Sequence, residues 1–299
     1  MKPLRVLLFG KGGQVGWELQ RSLSPIGDVI ALDFDSHDHC GDFTNLQGLA
    51  NTVRNIQPDI IINAAAYTAV DTAEIEPALA RTINALAPGV LAEAAQRAGA
   101  TIVHYSTDYV FDGSGKQAWL ETDPTNPLSV YGKTKLEGEQ LVAANCAKHL
   151  IFRTSWVYAV KGGNFAKTML RLAKERNALT VINDQMGAPT GAELLADVTA
   201  HAIRSLQLNP DQAGLYHLVA GGETSWHGYA QFVIDYARKS GVELRTSQQA
   251  IAPVLSNAFV TAATRPLNSR LNRNKLQSTF NLTLPNWQQG VARMLAEII

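Results

Sequence analysis

Cysteine is scarce: two among 299 residues, Cys40 and Cys146, without CxxC spacing. This argues against a disulfide framework and a thiolate zinc site, and suits a reducing cytosol. Neither sign of charge is in excess. The 26 Lys and Arg balance 26 Asp and Glu, a formal net charge of +0. No basic surplus points to nucleic acid and no acidic tail to a charged partner. No apolar run approaches the ~20 residues of a membrane span. The opening MKPLRVLLFG has an apolar run of a few residues that ends in glycines, so no signal peptide is expected. Internal repeats and low-complexity tracts are also missing. The remaining composition, 46% hydrophobic and 17% charged, is that of an ordinary globular chain long enough for two domains.

The first half alternates short apolar runs with helical patterns. Arg5–Gly10, Val29–Asp33, Asp59–Ala66, Ala100–Thr107 and His149–Trp156 read as buried parallel strands. Strand–helix repetition predicts an α/β fold, a Rossmann-like doubly wound parallel sheet. After Trp156 the pattern loosens. A helix spans NFAKTMLRLAKER, a strand LTVIND, a helix AELLADVTAHAIRSL and a strand GLYHLVA, with an irregular stretch over 242–272 and a closing amphipathic helix. We expect a dinucleotide-binding domain over 1–153, joined by parts of 187–212. A smaller α/β substrate-binding domain would take 154–186 and 213–299.

The stretch FGKGGQVGWEL places Gly10, Gly13 and Gly16 between the first strand and first helix. Glycine there permits a tight turn, close approach of backbone to a pyrophosphate, and helix–strand packing. The turn Gly10, Lys11, Gly12, Gly13, Gln14, Val15 and Gly16 is therefore the candidate cofactor cradle, with helix N–H groups facing phosphate. Asp33, ending the second strand, is placed to bond an adenosine ribose. Its charge leans toward NADH over NADPH, while nearby Lys11 keeps NADPH open. The cluster SHDHCGD (His37, Asp38, His39, Cys40, Asp42) holds metal-ligating types, but neighbours in one loop rarely converge on an ion. Asp42 and Phe43 are read as flanking the adenine.

In SVYGKTKLEGEQ, Tyr131 and Lys135 lie one turn apart on one helix face. A phenol near pKa ~10 exchanges protons poorly at neutral pH, and a neighbouring ammonium is expected to lower it. Such a tyrosine can protonate a carbonyl oxygen as hydride arrives at its carbon. The group that holds the carbonyl should come from the C-terminal end of a central strand, where Ser106, Thr107 and Asp108 stand.

The glycine turn, NAAA (Asn63–Ala66), STDYVFDG (Ser106–Gly113), YGKTK (Tyr131–Lys135) and RTSWVY (Arg153–Tyr158) resemble the extended short-chain dehydrogenase/reductase family. NDQMGAPT (Asn183–Thr190) and RPLNSRL (Arg265–Leu271) resemble its branch that reduces dTDP-linked 4-keto-6-deoxy-L-sugars. The resemblance spans essentially the whole chain. It implies NADPH or NADH as cofactor, Thr107, Tyr131 and Lys135 as catalytic residues, and Ala64, Ala65 and Ala66 beside the cofactor, with Lys135 also on the nicotinamide ribose. It implies a dTDP-sugar substrate contacted by Thr107, Asp108 and Trp156, with Arg265 and Arg270 as candidates for its pyrophosphate. A homodimer in the cytosol is implied as well, without nucleic acid or membrane partners. Magnesium (Mg2+) is a further expectation, with Glu18, Glu193 and Glu297 as candidate ligands that folding or dimerisation would have to gather.

Competing readings stand beside these. Trp156 can be a core aromatic, Asp108 a turn residue, the arginines surface ion pairs and the three glutamates a solvated surface. A nucleotide-sugar epimerase or dehydratase shares the Tyr–Lys pair, although Asp108 is followed by Tyr109 rather than a second acid. A dinucleotide-binding regulatory subunit is the non-enzymatic alternative.

Overall fold

The computed structural model describes residues 3–299. Five strands of the first half, β1 (Leu4–Phe9), β2 (Gly27–Leu32), β3 (Ile60–Asn63), β4 (Thr101–Thr107) and β5 (His149–Thr154), share one parallel sheet. Their order is β2-β1-β3-β4-β5, extended by a sixth strand, Gly214–His217, against β5.

Both faces of this sheet are covered, which is why its strands read as continuous apolar runs. Val6, Leu8, Ile60, Ile62 and Val103 face α1 (Gln14–Leu23) and the helix Ala192–Leu208, meeting Leu19, Leu23, Leu195 and Ile203. The alternate residues Leu7, Phe9, Ile61, Ile102 and Ile151 face the other way. They pack on α2 (Leu46–Ile56), the helix Ala87–Ala98 and the helix Val130–Asn145 through Val53, Leu91 and Val142. This alternation is the period of two of a pleated strand.

The chain leaves β1 toward β2 on one side and returns to β3 on the other. Strand order therefore reverses between β1 and β3, opening a crevice at their C-terminal ends.

The remaining chain builds a second core. Helices Phe165–Glu175, Trp226–Lys239 and Trp287–Ile298 bury Met169, Leu170, Tyr229, Val233, Trp287 and Val291 together. Three two-stranded pairs complete it, one of them joining Leu179–Ile182 to Ile251–Val254 inside the stretch expected to be irregular. One boundary is corrected. The segment Gly214–His217, expected in the substrate-binding part, extends the large sheet. Tyr216 is 3% exposed and packs against Phe152 of β5, so its apolar surface is satisfied there.

Candidate active site

The glycine turn closes as the spacing predicts. Gly10 has φ +86, and a Cβ on it would lie 2.7 Å from the Ala65 nitrogen. A Cβ on Gly16 would lie 1.9 Å from the Gly10 carbonyl oxygen, so that glycine seats α1 on the turn. Gly13 precedes α1 with no side chain capping the helix, leaving its first N–H groups for an anion. Asp33 accepts the Gly12 N–H at 2.9 Å, so the carboxylate also braces the turn.

A cleft of about 750 Å³ runs over this end of the sheet. It is lined by Gly10, Gly12, Gly13, Gln14, Val15, Asp33, Asp42, Phe43, Ala64, Ala65 and Ala66, with Tyr131 and Lys135 at the other part of the wall. Lys11 and Gly16 belong to the turn but do not line the cleft. Lys11 donates its N–H to the Leu32 carbonyl, and Gly16 is a packing residue. Ser106, expected at the end of β4, also lines it, as do Thr68, Leu79, Ile83, Thr154 and Gly162, which escaped the sequence reading. Ser106 and Thr154 carried a usable signal: each stands at or beside the C-terminal end of its strand. Their buried hydroxyls have no protein partner. The cleft, the uncapped helix start and the crowded Gly10 turn fit a nicotinamide dinucleotide.

The helix Val130–Asn145 delivers Tyr131 and Lys135. Ser129 caps it by accepting the Gly132 N–H at 3.1 Å, and Glu74 accepts the Val130 N–H at 2.8 Å. Asn84, in a π-helical turn, donates to the Tyr67 carbonyl and to Thr134 of this helix, and so pins the Ala64–Tyr67 loop to it.

Thr107 ends β4, and its hydroxyl donates to Asp108 at 3.0 Å and accepts the Tyr109 N–H at 3.1 Å. The expectation that Lys135 lowers the phenol is reversed here. Burial and the Asp108 carboxylate push Tyr131 up to about 12, against the Thr107 hydroxyl. Lys135 spends its short hydrogen bond on the Tyr105 carbonyl, 2.6 Å away. Burial pushes Lys135 down to about 8, opposed by Glu139. Asp108 is 2% exposed and its Oδ2 has no partner; burial raises it to about 6, with the Ser269 and Thr107 hydroxyls opposing.

The remaining candidates are placed less directly. Trp156 has left-handed backbone, φ +50, and its ring stacks on Trp226 at 3.7 Å. A Cβ on Gly187 would come 2.8 Å from that ring, so glycine there makes room for it. Trp156 does not line the cofactor cleft. Arg265 grips Asp71 with both Nη groups, at 3.1 and 2.6 Å, and its charge reaches Tyr109, which packs edge-on against Tyr131. Arg270 pairs with Glu223 at 2.5 Å. Both arginines thus hold carboxylates.

Glu18, Glu193 and Glu297 do come together, lining a surface cleft of about 390 Å³ away from the catalytic residues. Arg293 bridges Glu193 and Glu297 at 3.6 and 3.5 Å, and Arg21 pairs with Glu18 at 3.3 Å. Among the described residues no three His, Cys, Asp or Glu form a group able to hold an ion. Within one chain, guanidinium groups supply counter-charge to these carboxylates.

A parallel sheet with a glycine turn at its switch point, Tyr131 and Lys135 on the same cleft and Thr107 at the end of a central strand defines a nicotinamide-dependent short-chain dehydrogenase/reductase. The family model described as RmlD substrate binding domain matches residues 4–299. The chain is 62% identical over 295 residues to a dTDP-4-dehydrorhamnose reductase of Salmonella typhimurium, covering 99% of this chain and 98% of that one. A solved dTDP-4-dehydrorhamnose reductase of Clostridium acetobutylicum superposes with TM-score 0.88 at 36% identity, over 100% of this chain and 99% of the other. The Bacillus anthracis enzyme, solved in complex with NADP, gives 0.87 at 37%, over 99% and 100%. The chain belongs to the dTDP-4-dehydrorhamnose reductase family.

Proposed function

We propose that the protein reduces the C4 keto group of dTDP-4-dehydro-L-rhamnose to give dTDP-L-rhamnose, an NAD(P)H-dependent oxidoreductase reaction that supplies a deoxysugar donor for surface polysaccharide. The observation that carries this is the placement of Tyr131 and Lys135 on the same cleft as the glycine turn. A nicotinamide dinucleotide supplies the hydride when bound. Gly10 to Val15 and Ala64 to Ala66 offer backbone to it, and Lys135 is assigned to its ribose. Thr107 steadies the substrate oxygen, and Tyr131 gives that oxygen its proton. The raised phenol keeps its proton through neutral pH, as a donor must.

Substrate contact is assigned to Asp108 and Trp156, and the sugar nucleotide's pyrophosphate to Arg265 and Arg270, whose forked donors suit paired phosphate oxygens. A diphosphate would have to displace Asp71 and Glu223 from them. The relative solved with NADP supports NADPH, and Asp33 supports NADH. Two free cysteines support a cytosolic setting. Trp17, 50% exposed beside the glutamate cleft, supports association of two copies there.

The test follows NADH and NADPH absorbance with the keto-sugar nucleotide. Net consumption is expected. A protein that binds cofactor yet consumes neither would overturn the reading, and sugar conversion without consumption would point to an epimerase or dehydratase.

A further inference from the structure

Behind Lys135 lies a polar chain that the reaction as derived does not use. His104, one strand position before Tyr105, is completely buried, and Lys135 is 2% exposed. The His104 Nδ1 lies 3.0 Å from the Asn63 Nδ2, and its Nε2 lies 3.4 Å from the Lys135 Nζ. The Asn63 amide cannot turn round freely, because its Oδ1 accepts the Ala65 N–H at 3.0 Å. With the oxygen committed, Asn63 presents N–H to the ring. Nδ1 is then the acceptor, and the proton of the neutral imidazole sits on Nε2. Burial, with the Lys135 charge beside it, holds His104 well below its ordinary value and so neutral.

An Nε2–H aimed at an ammonium sets donor against donor. The distances agree: Nζ closes to 2.6 Å on the Tyr105 carbonyl but stands off at 3.4 Å from Nε2. A neutral amine at Nζ would instead accept Nε2–H through its lone pair. We propose that His104, its tautomer set by Asn63, is a positioning residue that presents an N–H donor to Lys135 and so eases the loss of a proton from it.

The consequence rests on the proposed reductase reaction. When the Tyr131 O–H breaks and its proton joins the substrate oxygen, the phenolate takes a proton from the Lys135 ammonium. The amine left behind accepts Nε2–H, and solvent later returns a proton to Nζ. Ionic groups around Lys135 are Glu139 on its own helix, Arg153 on β5 (paired with that glutamate) and Asp108 in the turn after β4. Glu74 is engaged at the helix start, and Arg81 with Glu137 on its exposed side.

The experiment reads the tautomer and the pH profile separately. Nitrogen-15 NMR of imidazole-labelled wild type should show His104 as a neutral Nε2–H ring that does not titrate across neutral pH. Asn63→Asp turns the donor into an acceptor, so the ring should switch to Nδ1–H and face Lys135 with a lone pair. The basic limb of kcat should then move up by about one pH unit. An Nδ1–H ring in wild type overturns the proposal, as does an unswitched ring in the variant or a switched ring with an unmoved limb. If the variant fails to fold, the wild-type tautomer still decides. Absence of turnover in wild type would count against the reductase reading and leave the tautomer result standing.

Discussion

Arg153 of β5 and Glu139 of the tyrosine-bearing helix form a two-pronged ion pair, 2.9 and 2.7 Å, with both side chains about 95% shielded from solvent (5% and 4% exposed). The guanidinium also lies over Phe111, 5.0 Å from its centroid. The pair ties the helix carrying Tyr131 and Lys135 to a sheet strand, and its carboxylate favours the charged form of Lys135. Breaking one half strands a buried charge. Glu139→Ala should cost about 3–5 kcal/mol in urea unfolding. The double variant Glu139→Leu, Arg153→Met should recover much of that loss.

Tyr131→Phe removes the proposed proton donor and leaves the ring packing on Tyr109. Steady-state turnover should fall by ~10²–10⁴-fold, the usual weight of a general acid. Cofactor affinity by calorimetry should change little. Thr107→Val removes the hydroxyl proposed to steady the reacting oxygen and should lower kcat by ~10²-fold.

Gly16→Ala places a methyl group 1.9 Å from the Gly10 carbonyl oxygen, backbone that cannot yield without moving the turn. Dinucleotide affinity should drop by more than ~10-fold, because the turn is what brings N–H groups to phosphate. Fluorescence titration with NADH and NADPH measures it.

Asp33 braces the glycine turn through the Gly12 N–H and is the proposed ribose ligand. Asp33→Ser should raise the ratio of kcat/KM for NADPH over NADH by ~10-fold, since a negative charge no longer opposes a 2′-phosphate. Thermal stability should also fall slightly, because Gly12 N–H loses its charged acceptor.

Asp108 contributes to the pH dependence of stability. Burial raises it from the ordinary 3.8 to about 6, so between those values the folded protein keeps a proton that the unfolded chain has released. Stability therefore falls as pH rises through that window, and the loss, at most about 3 kcal/mol, is complete above pH ~6. Asp108→Asn should abolish this slope in urea unfolding measured at pH ~4 and ~7. An unchanged slope would assign it to another group.

Much of the site was legible in the chain because its parts are local. The glycine turn lies within seven residues, and Tyr131 and Lys135 share one helix face by spacing alone. Parallel strands buried on both faces announce themselves as apolar runs, so the sheet was legible too. What was missed depends on distant segments meeting. Asn63, His104 and Lys135 line up as one polar chain across β3, β4 and a helix.

By itself the amino-acid order determined the strand–helix alternation, the glycine turn after the first strand and the placement of Tyr131 and Lys135 on one helix face. Tertiary packing alone decided the electrostatics of that pair. Burial and the Asp108 carboxylate raise Tyr131, while Lys135 turns to a backbone carbonyl. It also decided that Arg293 bridges two of the three glutamates, and that Gly214–His217 joins the large sheet. The physical reason is common to all of these. Desolvation and charge pairing depend on what surrounds a group in space, and a one-dimensional pattern records only its chain neighbours.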